Sequence, residues 1–179
     1  IGNYLSEVGY DLDINHQNHK QSIQKCKDKI NKLLSIKGKK TVDDLHKELG
    51  KIMWNNVGMS RTETTLKETI QLLPKLKDEF WNNVNIPGTK SELNIELEKA
   101  GRLSDFIELG QLMAVDALNR EESCGGHFRE EHQTDENEAK RNDDDYAYVA
   151  AWEHKKDKPL LHKEKLNFKN VKLSTRSYK

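Results

Sequence analysis

Four charged residues in the second half of the chain have side chains of the kind that acid–base chemistry uses. Glu122 and Asp143 carry carboxyl groups, and Arg129 and Arg141 carry guanidinium groups. Such groups transfer protons when burial and neighbouring charges shift their pKa values. The same groups also form ion pairs beside helix ends, where backbone carbonyls lack partners. We favour this structural interpretation, and our working hypothesis pairs Arg129 with Asp143.

Cys124, His127 and His132 are residues of the types that bind zinc. No fourth ligand is evident and their spacing differs from that of a zinc finger, so we predict no metal site. His127 follows two glycines, which lets its ring approach another segment closely. Its ring could face a substrate carboxylate, but we expect it to form hydrogen bonds within its own turn.

The sequence lacks the motifs that hold nucleotides. It contains no G-x-G-x-x-G after a strand, no phosphate-binding loop and no nucleophile elbow. We therefore predict no catalytic and no cofactor-binding residue in this chain. Trp54, Trp81 and Trp152 could stack on a base or a flavin, but we expect them in the core or in contacts between subunits.

A long helix must position the charged groups, because an apolar repeat leads directly into them. Its members recur at steps of three and four residues, which is the period of one helix face. They are Leu93, Leu97, Ala100, Leu103, Phe106, Ile107, Met113, Ala117 and Leu118. Ser91 is a suitable N-cap, and Gly125 and Gly126 let the backbone turn after the helix.

The residues around this turn form one candidate site, for which we predict a structural or interface role. We call them the junction residues: Arg120, Glu122, Ser123, Gly125, Gly126, His127, Arg129, Arg141 and Asp143. Because glycine adopts positive φ at low cost, we expect both glycines to be required by the turn.

Three more amphipathic segments precede the long helix. They cover residues 16–36, a helix capped by Thr41, and a helix that begins at Thr62 or Ser60. Breaks or a kink are expected at Gly38, Gly58 and Pro74. Three to four helices with short connections predict an antiparallel up-and-down bundle, similar to a spectrin repeat.

The character of the chain changes after Gly126. A charged loop is expected over residues 132–145, followed by short strands at 146–152, 160–168 and 171–174. The predicted fold is mainly α with a small C-terminal antiparallel β segment. We divide the chain into a lead-in segment (1–10), a helical bundle (11–120) and a C-terminal loop and β region (121–179).

Composition excludes several classes of protein. Lys and Arg number 30, as do Asp and Glu, which argues against a chain selected for binding nucleic acid. No apolar run reaches the length of a transmembrane helix, so we predict no direct membrane insertion. Cys26 and Cys124 lie far apart, as is common in a reducing compartment. The chain opens on Ile1, and we expect it to be a piece of a longer chain.

Several motifs carry a resemblance to a known family. The run Arg120-x-Glu122-Ser123-x-Gly125-Gly126-His127-x-Arg129 resembles the R-x-E-S-R-G-A-H-x-R segment of succinate dehydrogenase and fumarate reductase flavoprotein subunits. The run 141–146, RNDDDY, is similar to that family's R-D-D-x-x-[WFY], and 171–178 is similar to its closing segment. Cys124 stands where most members have arginine, and the loop between the two motifs is longer here.

The resemblance implies a role for the parent protein more than for this piece. It implies a subunit that binds FAD covalently, interconverts succinate and fumarate, and passes electrons to an iron–sulfur subunit and membrane quinone. The expected partners are the subunit's own flavin-binding domain and the iron–sulfur subunit. The expected location is cytoplasmic, peripheral at the inner face of the cell membrane. No catalytic or flavin-attaching residue of the family maps onto this sequence, so we expect the fragment alone to be inactive.

Two alternative functions remain open at the level of sequence. The chain could be the equivalent region of a related flavoprotein, either aspartate oxidase or adenylylsulfate reductase. It could also be a helical adaptor that binds proteins and belongs to no enzyme.

Overall fold

The computed structural model describes residues 1–9, 15–155, 158–172 and 174, and helices occupy most of this range. In chain order the helices are α1 Gly2–Val8, α2 Gln17–Ser35, α3 Val42–Asn56, α4 Glu63–Asn83, α5 Ile95–Asn119 and α6 Asp143–Tyr146. The strands are β1 Lys40–Thr41, β2 Val84–Asn85, β3 Tyr148–Glu153 and β4 Leu160–Lys165. The prediction of a mainly α fold with a small C-terminal antiparallel β segment is confirmed.

Helices α3, α4 and α5 form the packed centre of the bundle. Leu45 of α3, Phe80 of α4 and Ile107 of α5 are fully buried in one cluster, because each lies on the apolar stripe of its helix. Strands β1 and β2 pair in parallel and place the start of α3 beside the end of α4, as expected for antiparallel helices.

Helix α2 joins this core less completely than its pattern predicts. Its apolar residues follow helical spacing, but only Leu33, in the last turn, is buried. Ile23 and Ile30 are exposed, and the ion pair between Lys29 and Asp105 is a surface contact with α5. The expected lead-in segment forms α1, in which no residue is buried.

The helix starts test the predicted caps. The Thr41 hydroxyl accepts a hydrogen bond from the Asp44 N–H at 3.1 Å, and Thr62 forms a reciprocal capping box with Thr65. The Ser91 prediction is wrong, because α5 begins at Ile95 and its N-cap is Asn94. The side-chain Nδ2 of Asn94 donates to the backbone carbonyls of Pro87 and Thr89, and these bonds hold the preceding segment as a loop. Leu93 therefore lies outside the helix.

Helices α2 and α3 end shortly before Gly38 and Gly58, as expected, but neither glycine is the C-cap. The C-caps are Ile36 for α2 and Val57 for α3. Gly38 instead passes so close to Asn83 that a Cβ atom would overlap its backbone carbonyl. A Cβ on Gly58 would lie 2.6 Å from the carbonyl oxygen of Trp54. Both positions need glycine because backbone approaches backbone. Helix α4 continues through Pro74 to Asn83.

The β region is smaller than predicted. Strands β3 and β4 pair in antiparallel register from Tyr148 opposite Lys165 to Glu153 opposite Leu160. The predicted third strand is wrong for residues 171, 172 and 174, which lie outside any strand, and Leu173 lies outside the described residues. The expected closing match at 176–178 also lies outside them.

The charged loop before β3 contains a small closed hairpin. Gln133 and Ala139 form an antiparallel bridge, and the Thr134 N–H donates to the Glu138 carbonyl at 2.8 Å. Asn137 supplies the positive φ of the tip, 63°. A further backbone hydrogen bond, from the Lys140 N–H to the His132 carbonyl, joins the two arms at the base of the hairpin.

The three tryptophans have different environments. Trp54 is 84% exposed, so the core interpretation is wrong for this residue. Trp81 packs against the core with its ring edge-on to Phe80. Trp152 of β3 donates its indole N–H to the Asp116 carboxylate of α5 at 2.7 Å, and this bond holds the sheet against the bundle. Within the described part of the chain, no helix is both long and apolar enough to span a bilayer.

Candidate functional site

The junction residues begin where α5 ends, and Arg129 completes that end. The guanidinium Nη1 of Arg129 donates to the backbone carbonyls of Ala117 at 3.1 Å and Leu118 at 3.3 Å. These carbonyls lie in the last turn of α5. They have no N–H partner within the helix, because the helix ends before the residues that would donate to them. Arg129 is only 2% exposed. Its positive charge also lies at the negative end of the helix dipole, which stabilises the arrangement.

A carboxylate connects Arg129 to the start of α4. Arg129 Nε lies 3.2 Å from Oε2 of Glu131, and Oε1 of Glu131 accepts from the Glu63 N–H at 2.5 Å. Burial raises the pKa of Glu131, but the N–H groups of Glu63 and Glu131 and the Arg129 guanidinium outweigh it and lower the pKa overall. One ion pair therefore bridges the C-terminus of α5 and the N-terminus of α4.

The working hypothesis of an Arg129–Asp143 pair is wrong. Asp143 pairs instead with Arg141, whose Nη2 lies 2.6 Å from Oδ1. Glu131 is the nearer acid because it lies two positions after Arg129 and beside α4. Donation of hydrogen bonds to the Asp143 carboxylate raises the pKa of Arg141, whose Nη1 also donates to the carbonyl of Ser174.

A tight turn joins α5 to Arg129. The N–H groups of Cys124 and His127 each donate to the other's carbonyl, at 2.8 and 3.0 Å. Gly125 has φ 59°, whereas Gly126 is not among the positive-φ residues, which is the pattern of a type II′ turn. The expectation that both glycines are required is therefore wrong for Gly126. The buried Ser123 hydroxyl accepts from the Arg129 N–H and donates to its carbonyl, which fixes the base of the turn.

His127 lies between two arginines and is held in its neutral form. Its Nδ1 accepts from Nη1 of Arg61 at 2.9 Å, and its Nε2 donates to the Arg120 carbonyl at 2.9 Å. An arginine side chain only donates and a carbonyl only accepts, so this tautomer satisfies both contacts. Burial lowers the pKa of His127, the bond to Arg120 opposes that shift, and the charges of Arg61, Arg129 and Arg120 lower it further.

Arg61 is the functional residue that the sequence analysis missed. Its Nε donates to the carbonyls of Val57 and Gly58 at the end of α3. Its backbone bonds to Phe128 and Glu130, alongside Arg129. Burial lowers the pKa of Arg61, while the charge of Asp116 raises it. The sequence signal that could have identified Arg61 is its position as a basic residue shortly after the end of a helix.

The remaining junction residues tie the sheet to the bundle. Glu122 is buried, and its carboxylate accepts from Nη1 of Arg120 at 2.8 Å and from the Asn142 N–H at 2.9 Å. The Arg120 guanidinium carbon lies 5.7 Å from the ring centroid of Tyr146 and 5.3 Å from that of Tyr148. Asn142 caps α6. A buried carboxylate with two donors thus links α5, α6 and β3.

The polar groups of this arrangement are paired with one another or with backbone groups. Within the described residues, every buried side-chain nitrogen or oxygen has a hydrogen-bond partner, and no group of three or more His, Cys, Asp or Glu side chains could hold a metal ion. A cavity of about 340 Å³ opens beside the turn. It is lined by Val57, Arg61, Met113, Asp116, Ala117, Arg120, Cys124 and His127.

The turn predicts a difference between its two glycines. Gly125→Ala should lower the free energy of unfolding by about 1 kcal/mol, because a Cβ at positive φ is strained. Gly126→Ala should cost nothing, since its φ is ordinary and no atom of the described residues lies within 4 Å of the point where its Cβ would sit. Urea unfolding of both variants measures this difference, and equal losses would contradict the assigned turn.

Arg129 predicts a large effect with a matched arginine control. Arg129→Met should lower the free energy of unfolding by about 3 kcal/mol, because it leaves two carbonyls without their donor and removes the cationic partner of Glu131. Arg102 of α5 is exposed and pairs with Glu98 on the surface. Arg102→Met should therefore change stability by less than about 0.5 kcal/mol. Similar losses in both variants would show that Arg129 does not link the helices.

His127 predicts a pH dependence of stability. Its folded pKa lies below the ordinary value of 6.5, so the unfolded chain binds a proton first as the pH falls. The contribution of His127 to the free energy of unfolding is complete above pH 6.5 and is lost as the pH falls toward the folded pKa. His127→Gln should flatten the unfolding free energy from neutral to mildly acidic pH, whereas His154→Gln, at an exposed position, should not. Identical profiles for both variants would contradict a neutral His127.

Comparison with known proteins identifies the family. A family model described as fumarate reductase flavoprotein C-term matches residues 46–178. The chain is 32% identical over 102 residues to the fumarate reductase flavoprotein subunit of Proteus vulgaris, covering 57% of this chain and 17% of the relative. It is 27% identical over 132 residues to the succinate dehydrogenase flavoprotein subunit of Bacillus subtilis, covering 74% and 21%.

A solved structure supports the fold. The chain is similar to a mutant of E. coli quinol fumarate reductase FrdA, with a TM-score of 0.76, 22% identity, and coverage of 93% of this chain and 27% of that one. The chain thus spans about a fifth of the length of these curated relatives. Because the family model covers more than half of the sequence, the chain belongs to the fumarate reductase flavoprotein C-terminal family.

Proposed function

We propose that this chain is the helical and C-terminal region of a flavoprotein subunit that interconverts succinate and fumarate. The observation that carries the proposal is the family match over residues 46–178, which includes the whole turn from Arg120 to Arg129. Relatives named as fumarate reductase and succinate dehydrogenase flavoprotein subunits support it. No comparison favours aspartate oxidase, adenylylsulfate reductase or an adaptor.

The role of this region within the subunit is that of a scaffold. Arg129 and Arg61 complete the ends of α5 and α3, and Glu122 connects the bundle to the sheet. These groups are engaged with one another, which leaves them unsuited to proton transfer. The nine junction residues therefore hold the shape of a surface that the rest of the subunit or its partners contact.

FAD is the cofactor of the parent subunit in this proposal, since the relatives are flavoproteins by name. The junction residues do not fit a flavin site. The sequence has no G-x-G-x-x-G, and the junction side chains bond to one another instead of converging on open space. The flavin and the catalytic residues thus belong to another part of the polypeptide.

The proposed partners follow from the resemblance to succinate dehydrogenase and fumarate reductase flavoprotein subunits. The nearest partner is the flavin-binding domain of the same polypeptide, and the next is an iron–sulfur subunit that takes or supplies electrons. Electrons would be exchanged with quinone or quinol, and the E. coli protein of similar structure is named a quinol fumarate reductase. The proposed location is the cytoplasmic face of the membrane, held there through partner subunits.

The test compares two polypeptides. The protein expressed from the natural start codon of its reading frame should carry flavin absorbance and reduce a dye with succinate. Residues 1–179 alone should be colourless and inactive, because the dinucleotide fingerprint is absent. A natural-length protein without flavin would overturn the proposed function. Flavin retained by residues 1–179 through purification would overturn the scaffold role.

A further inference from the structure

Helix α5 has a second apolar face that the bundle leaves uncovered. Its core face carries Ile107, Gly110 and Ala114, which are buried. Phe106, Leu109 and Met113 recur on an adjacent face and are 43%, 54% and 45% exposed. A helix that is apolar on more than one side is typical of a position between two packed layers. Only one of those layers is present among the described residues.

This second face forms one wall of a groove, which we call the α3–α5 groove. Its volume is about 260 Å³, and its other wall is helix α3. The groove is lined by His46, Leu49, Gly50, Met53, Phe106, Leu109, Gly110 and Met113. The His46 and Phe106 rings close one end, with centroids 5.9 Å apart. The lining is almost entirely apolar, as in grooves that receive a helix or a loop.

Gly50 is an independent observation at this groove. Glycine inside a helix costs about 0.5–1 kcal/mol relative to alanine. At Gly110 the cost has a packing reason, because a Cβ would lie 3.0 Å from Sδ of Met53. At Gly50 no atom of the described residues lies within 4 Å of the position that a Cβ would occupy. Packing between the described residues therefore does not require glycine there. The missing side chain leaves room on α3 for another segment to approach closely.

The groove continues into a cavity of the opposite polarity. Met113 lines both the groove and the cavity beside the junction turn. That cavity contains the guanidinium groups of Arg61 and Arg120 and the carboxylate of Asp116. The charge of Arg120 is balanced by Glu122, whose carboxylate lies 2.8 Å from it, and the charge of Arg61 is opposed by Asp116. An occupant with apolar side chains along the groove and a polar, uncharged end beside the cavity would match both ends.

We propose that the α3–α5 groove receives an apolar segment of the flavin-binding region of the same polypeptide. This inference rests on the proposed function. The chain spans only 17% to 27% of the relatives and the solved structure reported above, so most of such a subunit lies outside it. A covalently tethered partner has a high effective concentration, which suits a groove of modest size. Contacts between domains of one chain commonly have this mixed apolar and polar character.

Methionine oxidation in the natural-length flavoprotein subunit, purified without other subunits, tests this contact. Met59 is 90% exposed and serves as the internal reference for Met113. Docking should lower hydroxyl-radical oxidation of Met113 about fivefold or more relative to Met59, because oxidation follows exposure. Oxidation of Met113 near half that of Met59 would overturn the proposal. Protection that appears only after an iron–sulfur subunit is added would also overturn it, since another protein would then fill the groove.

Two glycine variants of the same subunit provide a matched control. Gly50→Ala adds a methyl group inside the groove and should increase Met113 oxidation toward that of Met59. Gly101→Ala, on a different face of α5, also meets no atom of the described residues within 4 Å and should leave the ratio unchanged. Equal ratios of Met113 to Met59 oxidation in the two variants would contradict docking in the groove.

Flavin absorbance and succinate-dependent dye reduction of the same preparation separate this inference from the proposed function. An active, yellow subunit with freely oxidised Met113 leaves the proposed function intact and overturns only the docking site. A colourless, inactive subunit overturns both.

Discussion

One buried cation organises the region that distinguishes this chain. The Arg129 guanidinium bonds to the last carbonyls of α5, and its partner Glu131 bonds to the first N–H of α4. An uncompensated charge at this depth would be strongly destabilising, so the guanidinium is stable only where it finds acceptors on several sides. The two helix ends supply those acceptors and donors because antiparallel neighbours place a C-terminus beside an N-terminus. The ion pair and the bundle geometry therefore require each other.

The same logic extends from the bundle to the sheet. A two-stranded antiparallel sheet is marginal alone, so β3 and β4 need an attachment. Trp152 provides one through Asp116, and Glu122 provides another through Arg120 and Asn142. Both attachments begin on the last turns of α5 or just after it. That segment is consequently the point where helical packing and sheet position are coupled, which explains its density of charged residues.

Sequence reasoning succeeded where the signal was local. Thr41 and Thr62 cap helices because a hydroxyl next to free N–H groups bonds to them in any context. The apolar repeat of α5 was right only in part: Leu103 and Ile107 lie on its core face, whereas Phe106 and Met113 of the same repeat are exposed. It failed where two distant segments meet. The role of Gly38 depends on Asn83, and Arg61 acts on Phe128 and His127. The helix is capped by Asn94 and not by Ser91. The Asn94 side-chain oxygen accepts from the Leu97 N–H while its nitrogen donates to two carbonyls of the preceding loop, whereas a hydroxyl has only one proton to donate.

The hairpin at residues 133–139 has a consequence for how such chains diverge. Its two arms are joined by backbone bonds, so its ends stay together regardless of what lies between them. The carbonyl of Lys140 accepts from the Ser123 N–H, so the point of return is fixed from outside the hairpin. Residues can be gained or lost at the Asn137 tip without altering the distance between Arg129 and Arg141. Insertions can therefore lengthen the hairpin while the motifs that contain Arg129 and Arg141 keep their positions.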